Sequence, residues 1–187
     1  YTAEVGQQTL RSYIPKQLLL VGSASYNDDG STTEGTAEGG RQIVLYSVND
    51  FNFELEQIQS YAHVMHHEFA HILHQNVEYD AEFEKITPSY SSSWMQMNDE
   101  TARSKGFITA YASSSADEDF AEMVSIMLTN SPEDWDNMIE NAGNAAAVEA
   151  LRKKEAIVVA YMKNNWGVNM KDFQKEVVAA IEAAVRN

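Results

Sequence analysis

The chain has no cysteine among its 187 residues, which excludes disulfides and thiolate metal sites while leaving the compartment open. Basic residues are scarce: 13 Lys and Arg face 28 Asp and Glu, for a formal net charge of −15. Such a surface repels phosphate backbones and anionic membranes, so no nucleic-acid or lipid-surface role is expected. At most it favours neutral or cationic substrates. No apolar run approaches the length needed to span a bilayer; Leu18-Leu19-Leu20-Val21 is strand-sized. No internal repeat is visible. What the chain does have is 44% hydrophobic content, enough for one compact domain over 1–187 with a real core. It opens at Tyr1 without methionine and without a signal peptide, so upstream residues are expected in the precursor.

All five histidines fall between positions 63 and 74, and they include His67-Glu68-Phe69-Ala70-His71. A helix carries residues i and i+4 on one face, so His67 and His71 can offer two imidazoles to one metal ion. Glu68, one step round, can reach a water on that metal. The helix itself is legible from Glu54 to Gln75, where Leu55, Ile58, Ala62, Met65, Phe69 and Ile72 recur at helical spacing. His63, His67, His71 and His74 lie on the opposite side, and His66 lies off that line. His74 reads as a supporting or surface residue rather than a ligand. The longer motif H-E-x-x-H-x-x-G-x-x-H is excluded, because His74 and Val77 stand where it needs Gly and His. A di-iron carboxylate site needs a second Glu-x-x-His, and no histidine remains to build one.

Two imidazoles leave zinc short of a protein ligand, and without cysteine or spare histidine the third should be a carboxylate. Spacing leaves several candidates: Glu118, Glu122, the Glu78–Glu84 segment and Asp99–Glu100. The serines at 113–115 can cap a helix over Asp117–Asn130 whose apolar face is Phe120, Met123, Val124 and Met127. Glu118, Glu122, Ser125 and Thr129 share another face. Glu118 is equally well read as the N3 member of a capping box with Ser115, and Glu122 as a solvated residue.

Elsewhere, Thr2–Tyr13 reads as a helix stopped by Pro15. Lys16–Tyr26 and Arg41–Val48 read as strands, and the turn-rich stretch 27–40 between them as a long exposed hairpin tip. Glu78–Tyr90 reads as irregular because of Pro88, and Ser92–Lys105 as a helix closed by Gly106. Ser131-Pro132 opens a helix to Gly143; helices Asn144–Trp166 and Met170–Val185 follow, with Gly167 between them. The fold class is therefore α+β. A small sheet with the histidine helix over 1–77 precedes a helical half over 78–187, with the cleft between. Tyr79, Tyr90, Trp94 and Phe107 should border that cleft, as packing residues more readily than as substrate contacts.

The run His67-Glu-Phe-Ala-His71-Ile-Leu-His-Gln, followed by Gly106-Phe-Ile-Thr-Ala-Tyr-Ala-Ser-Ser-Ser-Ala-Asp-Glu-Asp-Phe-Ala-Glu122, resembles the bacterial putative zinc-binding metallopeptidase lipoproteins. The resemblance is close over residues 66–125 and general elsewhere. It implies a zincin-like metalloprotease fold of the gluzincin kind. In gluzincins a glutamate opening the next helix is the third zinc ligand, which here is Glu118. An acid four residues on supports the site, which is Glu122. A tyrosine seven residues before the ligand serves the oxyanion, which is Tyr111. The resemblance also implies a signal and a lipidated cysteine ahead of Tyr1. It places the protein outside the cytoplasm, in the periplasm or at the cell surface, beside an outer-membrane import system.

The expected function is thus a zinc metallopeptidase with one zinc per chain, held by His67, His71 and Glu118, acting on a peptide or protein substrate. Glu68 takes a proton from the attacking water and passes it to the departing amine, and Tyr111 serves the oxyanion. Two other readings compete. One is a non-catalytic or vestigial metal-binding accessory of the import system, which would have no use for Glu68. The other is a zinc hydrolase of glycan or ester bonds, which the same residues would serve.

Overall fold

The computed structural model describes residues 12–28, 30–38 and 41–185. The expected helix over Thr2–Tyr13 lies, apart from Ser12 and Tyr13, outside the described residues. The sheet contains β1 (Gln17–Leu20), β4 (Gly35–Glu38) and β5 (Gln42–Leu45), in the order β1-β5-β4. A small ribbon pairs β2 (Ser25–Tyr26) with β3 (Thr32–Thr33).

Two strand expectations need correction. Lys16–Tyr26 is not one strand, since it breaks between Leu20 and Ser25. Nor is 27–40 a hairpin tip, because β1 and β5 run parallel, Leu18 opposite Ile43. A parallel pair needs a crossover, and this one spends its length on β2, β3 and β4. β4 lies antiparallel to β5, Thr36 opposite Val44. Its Gly-Thr-Ala-Glu sequence carries no apolar alternation, so nothing local announces it. β4 approaches the histidine helix closely by its backbone: a Cβ on Gly35 would lie 2.5 Å from Val64 Cγ1 and 3.4 Å from Glu68 Cγ.

That helix, α1, spans Leu55–Asn76. Its apolar stripe is less regular than the spacing implies. Ala62, Phe69 and Ile72 are buried, but Leu55 and Met65 are 48% and 37% exposed, and Val64 and Leu73 enter the core instead. The physical reason is that β4 and β5, α4 and α7 all pack on α1, so its second half is enclosed on several sides. α2 (Glu82–Ile86) replaces the irregular stretch expected there, started by Asp80, whose side chain accepts from the Glu82 amide, and ended before Pro88. The helix expected over Ser92–Lys105 is broken into a 3₁₀ turn, Trp94–Gln96, and α3, Asp99–Ser104. Asn98 intervenes and caps α3 by accepting from the Thr101 amide.

α4 (Ala116–Thr129), α5 (Pro132–Glu140), α6 (Ala145–Trp166) and α7 (Met170–Val185) follow their sequence signals closely. Ser115, Ser131 and Asn144 cap the first three with their side chains. Gly167, at φ 67°, ends α6 in the left-handed conformation. α4 lies against α1, with α6 and α7 packed behind it. Phe83, Phe107, Phe120, Trp135 and Trp166 fill the core between them. The result is a mixed α+β architecture, mostly helical with a small sheet. Among the described residues no helix is long and apolar enough to cross a membrane.

Candidate metal centre

Packing α4 on α1 brings three donor atoms together. His67 Nε2 lies 2.9 Å from Glu118 Oε2, His71 Nε2 lies 3.2 Å from the same oxygen, and the two nitrogens are 3.0 Å apart. Ligands held about 2.0–2.1 Å from a tetrahedral zinc sit roughly 3.3 Å from one another, so this triangle fits one face of such a site. Two imidazoles and one carboxylate are also the donor set of zinc sites that keep a position open. Of the capping box read for Glu118, the half made by the Ser115 side chain is present, and the Glu118 side chain is turned elsewhere. The Glu118 backbone amide donates to Ser115 Oγ at 3.3 Å, while its carboxylate turns to the imidazoles. Burial raises the Glu118 pKa, but hydrogen bonds with His67 and His71 outweigh it and hold the carboxyl at about 2.

Each imidazole is gripped from behind. His67 Nδ1 lies 2.8 Å from Glu122 Oε1, and Thr109 Oγ1 donates to Glu122 Oε2 at 2.7 Å. His63 Nε2 reaches Glu122 Oε1 at 3.0 Å. Glu122 is 3% exposed rather than solvated. Burial works against its charge, yet His63 and His67 hold its pKa well below the usual carboxylate range. His71 Nδ1 meets His74 Nε2 at 2.8 Å. For His71 to present Nε2 as a ligand its proton must sit on Nδ1, donated to a neutral His74. Burial, together with the neighbouring His71, lowers the His74 pKa and favours that neutral form. Glu122→Gln is expected to weaken zinc binding about 10- to 100-fold. Competition with a chromophoric chelator measures this, and a wild-type constant would remove Glu122 from the support of His67. Spacing does not single out Thr109 and His63 as partners of Glu122, because contacts made round a turn or between two helices leave no periodic trace.

Glu68 stands beside the triangle without joining it. It is 8% exposed, burial raises its pKa, and the Ala37 amide of β4 donates to its carboxylate. The Tyr111 ring lies 5.8 Å from that of His67, and its hydroxyl is hydrogen-bonded to Glu118. A pocket of about 330 Å³ opens next to them, lined among others by Glu34, Gly35, His63, Glu68, Trp94 and Tyr111. Of the four aromatics expected at the cleft, only Trp94 lines this pocket, edge-on to Tyr111 at 4.9 Å. Phe107 is core. Tyr79 stacks on Phe120 and donates to Asp117, and Tyr90 donates to Asp119. His66 sits away from the site, against Phe173.

The electrostatics set a pH dependence. Burial pulls the His67 pKa down, but Glu118 and Glu122 outweigh it and raise it to about 10. In metal-free protein His67 is therefore an imidazolium bridging two carboxylates at neutral pH. A raised histidine pKa stabilises the metal-free fold fully below about 6.5, and this contribution is lost as pH rises through about 10. A metal ion taking His67 as a ligand would have to displace that proton. Binding at pH 7 is expected to release about one proton and to tighten with rising pH. Calorimetry in buffers of different ionisation enthalpy counts it; no release would mean that His67 is already neutral.

A family model described as putative zinc-binding metallo-peptidase matches residues 1–171. The chain is also similar to a crystal structure of a putative zinc-binding metallo-peptidase from Bacteroides caccae. The two share 34% identity at a TM-score of 0.81, over 100% of this chain and 72% of that one. No curated protein matches the chain.

Proposed function

This chain belongs to the family of putative zinc-binding metallo-peptidases, and on that footing we propose that it is a zincin-like peptidase of the gluzincin kind. His67, His71 and Glu118 hold one zinc ion, and Glu68 is the general base. The observation that carries this reading is the place of Glu68. It is a buried carboxylate, adjacent in sequence to a ligand, outside the donor triangle and opening on the same pocket. A purely structural zinc site closes its coordination with four protein donors; among the described residues His67, His71 and Glu118 converge here and an acid waits beside them.

When bound, zinc supplies Lewis-acid polarisation and lowers the pKa of water. Burial raises Glu68 above the ordinary glutamate value, which suits a base that must take a proton and give it back. It accepts the proton of the water attacking the scissile carbonyl and delivers it to the departing amine nitrogen. The Tyr111 hydroxyl exchanges its bond to Glu118 for one to the developing oxyanion. Glu122 and His74 keep the two rings oriented. The peptide lies along β4, an outer strand of the sheet, as an added strand. The Ala37 amide donates to Glu68, so β4 runs beside the base.

The resemblance over 66–125 also supports a lipid-anchored, extracytoplasmic protein acting beside an outer-membrane import complex. Peptide-library digestion under zinc-replete conditions, with wild type and Glu68→Gln in parallel, tests the enzymatic reading. Cleavage by the wild type that the variant lacks supports it. Absence of any cleavage, with zinc bound, favours a metal-binding accessory protein.

A further inference from the structure

We infer that Lys154 and Asp119 form a buried positioning device for the third metal ligand, an inference that rests on Glu118 being that ligand. Asp119 follows Glu118 in the first turn of α4. Successive residues on a helix point about 100° apart, so one side chain reaches the imidazoles while the other enters the core. Lys154 comes from α6, 35 residues away in sequence. Both side chains are 0% exposed, with Nζ 2.5 Å from Asp119 Oδ2. The same ammonium donates to the Gly106 carbonyl at 2.8 Å and sits 4.3 Å from the centre of the Phe107 ring. Tyr90 adds a second donor to Asp119 Oδ2 at 3.0 Å.

Stability is a poor reason for such a pair. Burying two charges costs about as much as their attraction returns, and apolar replacements of similar volume are often neutral or stabilising. The alternative reason is geometry. The pair ties α6, the Gly106 turn and the first turn of α4 to one point. On its outer side that turn is held by the 3.3 Å bond from the Glu118 amide to Ser115 Oγ, the 3.0 Å bond from the Asp119 amide to the Ser115 carbonyl and the Tyr79 hydroxyl on Asp117. Lys154 and Tyr90 are what hold it from the core side. The Gly106 carbonyl is itself fixed in place: the residue has φ 86°, and a Cβ there would meet Thr87 at 2.8 Å and Ala150 at 2.9 Å. From that turn the chain runs directly to Thr109, which grips Glu122, and to Tyr111. One ammonium therefore sets the rotation of the helix that aims Glu118 and the start of the loop that supports His67.

Lys154→Met alone would leave Asp119 charged and buried, so the decisive protein is Lys154→Met/Asp119→Asn. Both charges leave together, and the amide oxygen still accepts from Tyr90. This variant is expected to keep the wild-type circular dichroism spectrum and a cooperative melt. Its zinc dissociation constant is expected to rise about 10- to 100-fold, and the absorption spectrum of its cobalt(II)-loaded form to change. A folded double variant with the wild-type constant and cobalt spectrum would falsify the inference, since a merely structural pair would leave both unmoved. If the double variant does not fold, Tyr90→Phe takes its place. Losing one hydrogen bond to Asp119 should weaken zinc about fivefold, and an unchanged constant overturns the role. Glu118→Gln is titrated alongside. If it binds zinc as wild type does, the ligand assignment fails and the positioning role falls with it. If it is weakened while the folded double variant is not, only the role of Lys154 is lost.

Discussion

Glu68→Gln is expected to fold and to bind zinc like the wild type while peptide hydrolysis falls about 10²- to 10⁴-fold, the usual worth of a positioned general base. The amide keeps the shape of the carboxylate, and its oxygen can still accept from the Ala37 amide, so β4 should stay where it is. Glu68 lies outside the donor triangle, so zinc content by elemental analysis should not move. The loss should appear in kcat/KM measured on any peptide the wild type cleaves. A near wild-type rate in this variant would remove Glu68 from the chemistry. The pH profile offers a second check. The base must be ionised to act, and burial raises its pKa above the usual glutamate value, so wild-type activity should decline on the acid side earlier than an exposed glutamate would require.

The second large effect belongs to the proposed ligands. His71→Ala and Glu118→Gln are each expected to weaken zinc well beyond the 10- to 100-fold produced by losing a supporting partner. Glu118→Gln is the more informative of the two. The Ser115 cap uses the backbone amide of residue 118, and glutamine serves equally at that helix position, so the start of α4 should survive the change. What it removes is the negative oxygen lying 2.9 Å from His67 Nε2 and 3.2 Å from His71 Nε2. A zinc dissociation constant unchanged from wild type would return Glu118 to the role of a cap and send the search for a third ligand elsewhere. His74→Ala, in contrast, should retain its zinc with reduced affinity, because His74 touches only the Nδ1 side of His71.

Much of what depends on neighbours three or four residues apart could be read from the chain alone, although α2 and the break before Asn98 escaped that reading. The helix bearing His67, Glu68 and His71 is written in its periodicity. The starts at Ser131-Pro132 and Asn144 and the stop at Gly167 lie in single residues whose side chain, or lack of one, decides the backbone. The mixed fold class also followed from the count of such elements. Contacts across the fold could not be read this way. Among 28 acidic residues, spacing left Glu118 one candidate of several; the packing of α4 on α1 is what sets its carboxylate against the two imidazoles. β4 has no alternating pattern, because Gly35 meets α1 by its backbone rather than by a side chain. β1 looked like the first arm of a hairpin because strand direction is a property of the pairing, not of the strand. Lys154 resembles any surface lysine until α6 folds over α4. Periodicity reports where a helix runs, and only the assembled tertiary structure determines which of its faces are buried and what they meet.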